Sequence, residues 1–178
     1  DIRVIGMGGS ILGTEAIYDF LKDKIKKKFY FINNLQAKKN PANQKKKYIN
    51  LIVSKSGNTL ETISNLNVII KNKDKNIFIT ENRKSYLYLL AQKLKAEIVH
   101  HNNFIGGRYS VLSEVGMLPA ELMGLDIKKF KQLNNLIKNK KFIDELIRNV
   151  NNTLNFLKQK KFNSIILNYD ESSENLFK

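Results

Sequence analysis

The sequence contains no cysteine, which excludes a disulfide scaffold, a cysteine-ligated zinc site and a thiol nucleophile. No apolar run approaches the roughly 20 residues that a membrane-spanning helix needs. No secretory signal is read either. The chain opens on Asp1-Ile2-Arg3-Val4, directly in a strand pattern, so a fragment of a longer protein is expected, with the cytoplasm as default compartment. Arginine is scarce: among 31 basic residues, only Arg3, Arg83, Arg108 and Arg148 are Arg. The net charge of +15 would suit a nucleic acid, but such surfaces favour Arg and interleave exposed aromatics. Here Lys travels with Asn, as in Lys71-Asn72-Lys73 and Asn139-Lys140-Lys141, which reads as compositional bias and solvated faces. What is present suffices for folding. A chain of 178 residues, 42% of them hydrophobic, buries a substantial core.

Short β-branched runs alternate with amphipathic stretches. Ile2–Ile5, Phe29–Ile32, Tyr48–Val53, Asn76–Thr80 and Glu97–His100 read as buried strands. Thr14–Lys28, Thr59–Asn72 and Lys84–Leu94 read as helices. Ile17, Phe20, Leu21 and Ile25 share a face of the first, and Leu60, Ile63, Leu66 and Ile70 nearly do so in the second. This alternation predicts an α/β fold with a doubly wound, mainly parallel sheet covered on both faces. The segment Asn33–Lys47, polar and Lys-rich around Pro41, reads as a loop or a poor helix. After Pro119 the texture becomes helical as far as Lys160, and Phe162–Leu167 reads as a new strand.

Three motifs follow strand ends. Gly6-Met7-Gly8-Gly9-Ser10 lies between the first strand and first helix, where glycines admit a close ligand and helix-start amides attract an anion. Alone, it fits a tight turn equally well. Ser54-Lys55-Ser56-Gly57-Asn58-Thr59 opens the second helix. A cap needs one hydroxyl and this loop has three, so the reading is a cradle for a dianionic phosphate. Phe104-Ile105-Gly106-Gly107-Arg108-Tyr109-Ser110 follows the fifth strand, and its glycines let Arg108 enter a crevice. In open α/β sheets, ligands bind outside the carboxyl ends of the strands, where all three motifs fall. His100 and His101 are adjacent, so their rings point to opposite faces; a structural or solvent role is read for both, not metal binding. Glu61 either complements the helix start or orders a water or hydroxyl in the site. Glu114 and Glu121 show no spacing that suggests a carboxylate dyad.

Taken together, Gly6–Ser10, Ser54–Thr59 with Glu61-Thr62, and Ile105-Gly106-Gly107-Arg108-Tyr109-Ser110, the last followed by Val111-Leu112-Ser113-Glu114-Val115-Gly116, resemble the phosphoglucose isomerase family. The resemblance implies a sugar isomerase (SIS) domain, a three-layer sandwich, over residues 1–125. A helical connector over 126–160 and the first strand of an incomplete second SIS domain over 161–178 would follow. It also implies that Ser54, Lys55, Ser56 and Thr59 hold a substrate phosphate, that Gly8, Gly9, Ser10, Glu61 and Gly107 line the sugar site, and that Arg108 is catalytic.

The implied reaction interconverts glucose 6-phosphate and fructose 6-phosphate through a cis-enediolate in glycolysis and gluconeogenesis. No metal or organic cofactor is expected, nor a nucleic-acid or membrane partner, and the full-length protein is expected to be a homodimer. The family's Glu base lies in an Ala-Glu-Ser-Leu-Gly-Lys type of segment, which this chain lacks. Its ring-opening His and late Lys are unmatched too, so the fragment alone is expected to be inactive. The rival expectation is a non-catalytic sugar-phosphate-binding SIS module.

Overall fold

A computed structural model describes residues 1–35, 47–71, 74–130 and 132–163. Five strands, β1 (Ile2–Ile5), β2 (Phe29–Ile32), β3 (Ile49–Val53), β4 (Lys75–Glu81) and β5 (Glu97–His101), form one sheet in the order β2-β1-β3-β4-β5. Every pairing in it is parallel. Helices α1 (Leu12–Phe20), α2 (Leu60–Ile69) and α3 (Tyr86–Lys93) follow β1, β3 and β4. The chain steps one way from β1 to β2 and the other way from β3 through β5. Right-handed crossovers then require α1 on one face and α2 with α3 on the other.

The core obeys this. Val4, Leu51, Val53, Ile77 and Ile79 pack with Ile11 and Ile17 and with Val115, Met117, Ala120 and Met123. Their strand neighbours Ile5, Ile52 and Phe78 point the opposite way, onto Leu66, Leu87 and Ala91. The period-two alternation thus divides the apolar residues between two cores, and each fully buried Ile, Leu or Phe stabilises the fold by about 1.5–3 kcal/mol.

Most predicted elements are present with shifted ends. Helix α1 begins two residues before Thr14 and gives way after Phe20 to a 3-10 turn at Lys22–Lys24, which brings Ile25 back against the core. Among the described residues, four α-helices follow β5: α4 (Glu114–Met123), α5 (Ile127–Phe130), α6 (Leu133–Ile137) and α7 (Lys140–Lys158). Helix α7 has no buried residue. Of the strand read at Phe162–Leu167, all but Phe162 and Asn163 lies outside the described residues, as does most of Asn33–Lys47. Among the described residues, no helix is long and apolar enough to cross a membrane.

Pro119 does not precede the helical part; it lies inside α4. Proline has no N–H to give the carbonyl four residues back, which is that of Val115. The Thr14 hydroxyl donates to the Val115 carbonyl at 3.2 Å, from a residue buried in α1. Thr14→Val keeps the volume and removes this donor. It should lower stability by about 1–3 kcal/mol, the cost of an unpaired buried carbonyl. Urea unfolding checks this: the midpoint should fall at unchanged slope, and an unchanged midpoint would refute it.

Candidate functional site

The order β2-β1-β3-β4-β5 reverses direction between β1 and β3, the place in a doubly wound sheet where a crevice opens beyond the carboxyl ends. The loops leaving β1 and β3 there are Gly6–Ser10 and Ser54–Thr59. The second loop is fixed by its backbone. Ser54 N–H donates to Ile79 O at 3.1 Å, Glu81 N–H to Lys55 O at 3.1 Å, and Leu87 N–H to Gly57 O at 3.0 Å. The Asn58 side-chain oxygen accepts from Tyr86 N–H at 2.9 Å. Gly57 has φ +65, a left-handed conformation that favours glycine, and a methyl there would overlap the Ser85 hydroxyl.

Thr59 stands at the N-cap of α2, yet its side chain makes no capping bond. Its hydroxyl instead meets that of Ser54 at 2.9 Å. The first-turn amides of α2 are therefore left without a side-chain cap, and the pair of hydroxyls keeps one hydrogen for another acceptor. Ser56 accepts from Asn58 N–H at 3.2 Å through its hydroxyl oxygen, which leaves its own hydrogen available. Glu61 is in the first turn of α2. Lys55 points elsewhere: its ammonium donates to Asn103 O at 2.9 Å and lies 3.5 Å from Glu81. Lys55 thereby links the second loop to the third.

The third loop also meets the first. The backbones of Gly9 and Gly107 approach so closely that a methyl on Gly9 would overlap the Gly107 carbonyl. Ser110 joins them, its hydroxyl lying 2.7 Å from Gly107 O and 3.3 Å from Gly9 O. Arg108 follows in a 3-10 turn, Gly107–Tyr109, and is exposed. Arg3 is paired with Asp74 and Arg83 with Glu81, whereas the Arg108 guanidinium has no hydrogen bond or ion pair with the described residues. All three motifs thus leave one edge of the sheet, and the third loop meets the first and, through Lys55 and Asn103, the second. Gly8 and Ser10 complete the 3-10 turn beside Gly9.

Sequence reading missed a pair at the root of the third loop. His101, nearly fully buried, and Glu114, the first residue of α4, share a hydrogen bond between Nδ1 and Oε1. The same carboxylate oxygen accepts from Asn102 N–H at 3.0 Å. Burial pushes the Glu114 carboxyl up, but the hydrogen bonds from His101 and from the backbone amides, with the charge of His101, outweigh it. The group ends below the ordinary carboxylate range. His100 is exposed, so the two rings do take opposite faces. Among the described residues, no cluster of His, Asp and Glu could hold a metal ion.

The family model described as "Phosphoglucose isomerase" matches residues 1–165. The chain belongs to this family. It is 35% identical to the glucose-6-phosphate isomerase of Methanocaldococcus jannaschii, covering 97% of this chain and 46% of that protein. It is also 35% identical to that of Acholeplasma laidlawii, covering 72% and 34%. The chain therefore spans less than half the length of either relative. Among solved structures, tagatose-6-phosphate ketose/aldose isomerase from Escherichia coli aligns with a TM-score of 0.57 and 16% identity, over 76% of this chain and 40% of that one. A hypothetical protein from Thermus thermophilus aligns at 0.63 and 23%, over 78% and 37%. These two likenesses show the α/β fold alone.

Proposed function

We propose that this chain forms the sugar-phosphate-binding part of an isomerase that interconverts glucose 6-phosphate and fructose 6-phosphate. The observation that carries the reading is the meeting of the uncapped α2 start, with its Ser54–Thr59 hydroxyl pair, and the Arg108 loop at one sheet edge. Phosphate oxygens are matched by the Ser54, Ser56 and Thr59 hydroxyls and the α2 amides, with Lys55 adding positive charge beside them. Gly8, Gly9, Ser10, Glu61 and Gly107 border the sugar. Residues 1–125 make the SIS domain, 126–160 a connector and 161–178 the start of a second such domain, in a homodimeric cytoplasmic enzyme of glycolysis and gluconeogenesis.

The chemistry assigns roles from charge. A base removes the proton from C2 of the open-chain aldose, and the electron pair left behind forms the C1–C2 double bond as the carbonyl becomes an enediolate. Transfer of the O2 proton to O1, with return of a proton to C1, gives the ketose. Arg108 places a fixed cation beside the developing oxyanion. No segment of this chain matches the family's base, so the chain should bind ligand without turnover.

Arabinonate 5-phosphate, whose planar carboxylate copies the enediolate, tests the assignment by calorimetry. An enzyme site holds such an analogue more tightly than substrate. Arg108→Ala should weaken the analogue roughly 10²-fold and fructose 6-phosphate much less. A module that only senses sugar phosphates would lose both equally. Equal loss, or turnover by the chain in a coupled assay, would overturn the proposal.

A further inference from the structure

The guanidinium of Arg108 has no partner of its own among the described residues, so its place is set by the backbone that carries it. That backbone is held by hydrogen bonds within the loop, by Lys55 and Gly9 along its length, and by Glu114 at its root. Ser113 donates through its hydroxyl to Ser110 O at 2.6 Å, and Ser110 donates in turn to Gly107 O at 2.7 Å, which fixes the middle and the end of the loop. At the root, Glu114 Oε1 takes both the His101 ring and the Asn102 N–H. One carboxylate oxygen thus joins the last residue of β5 and the first residue of the loop to the first turn of α4. The His101 side chain is only 2% exposed, whereas that of Glu114 is 25% exposed. Loss of the carboxylate would therefore strand a buried ring nitrogen and release the Asn102 amide together.

We propose that Glu114 is a positioning residue that, through His101 and Asn102, closes the root of the 102–113 loop and so holds Arg108 over the ligand. This rests on the reading of Arg108 given above. A purely structural clasp would lower stability and leave ligand selectivity alone. A positioning clasp acts on the Arg108 end of the ligand and spares the phosphate end.

The test uses the 178-residue chain with inorganic phosphate and arabinonate 5-phosphate as probes. Glu114→Ala should weaken the analogue roughly tenfold, the scale of one lost charge-assisted bond, and leave inorganic phosphate within about twofold. Glu114→Gln, whose amide oxygen can still accept from the Asn102 N–H, should recover most of the loss. In amide NMR spectra of the ligand-free chain, the Gly107 and Arg108 signals should shift or broaden in Glu114→Ala and return in Glu114→Gln, with Gly57 unmoved. Unmoved Gly107 and Arg108 signals in Glu114→Ala would overturn the proposal whatever the ligand, as would equal weakening of both probes. If the signals move but the wild-type chain binds no analogue, the functional reading fails and the positioning of the loop by Glu114 stands.

Discussion

Gly9→Ala should weaken arabinonate 5-phosphate on the order of 10²-fold while leaving inorganic phosphate bound. A methyl on Gly9 would overlap the Gly107 carbonyl and come within 2.8 Å of the Arg108 amide nitrogen. Both obstacles are backbone, so no side chain can rotate away. The first and third loops must separate, and a displacement of about 1 Å at a positioned group costs on the order of 10²-fold. Overpacking should also lower stability by about 1–3 kcal/mol. The reciprocal change is the control. A methyl on Gly107 would lie 3.8 Å from the Gly9 Cα, an ordinary contact, so Gly107→Ala should fold about as stably as the parent and lose far less analogue binding than Gly9→Ala. Calorimetry with both probes and urea unfolding read the two variants. Equal effects would show that the contact between the loops does not place Arg108.

The asymmetry between these glycines marks where sequence reading ends. The strands were legible because β-branched runs such as Ile2–Ile5 and Ile49–Val53 are buried on both faces and bounded by polar residues. The site edge was legible because three motifs each follow a strand end. Which glycine bears the close approach was not, because it depends on two loops about 100 residues apart in sequence. Pro119 misled for a similar reason. It reads as a boundary until Thr14, on another helix, supplies the donor that the Val115 carbonyl lacks. Nothing in the sequence pairs His101, read with a structural or solvent role, with Glu114, read as having no dyad spacing; only the return of α4 onto the sheet joins them. Lys55, given a phosphate role by the family resemblance, is held by Glu81 and by the Asn103 carbonyl, partners contributed by other strand ends.

Thr59→Val and Ser54→Ala should each weaken inorganic phosphate roughly tenfold or more, the scale of a hydrogen bond to a charged group. The double variant should lose less than the product of the two. The reason is their mutual bond: the hydroxyls stand 2.9 Å apart, so one donates to the other and a single hydrogen is left to point at an anion. Deleting either partner breaks the relay, and deleting the second removes little more, which is the non-additivity expected of groups in one network. Ser56→Ala should act independently of both, since among the described residues the Ser56 oxygen engages only the Asn58 amide and its hydrogen is committed to nothing else. A cap at Thr59 would give the opposite pattern. Stability would fall with Thr59→Val by about 1 kcal/mol and phosphate affinity would stay. The double-mutant cycle, measured by calorimetry beside urea unfolding, separates the two. Strict additivity of Ser54→Ala and Thr59→Val, or stability loss without loss of phosphate, would place the anion elsewhere on the sheet edge.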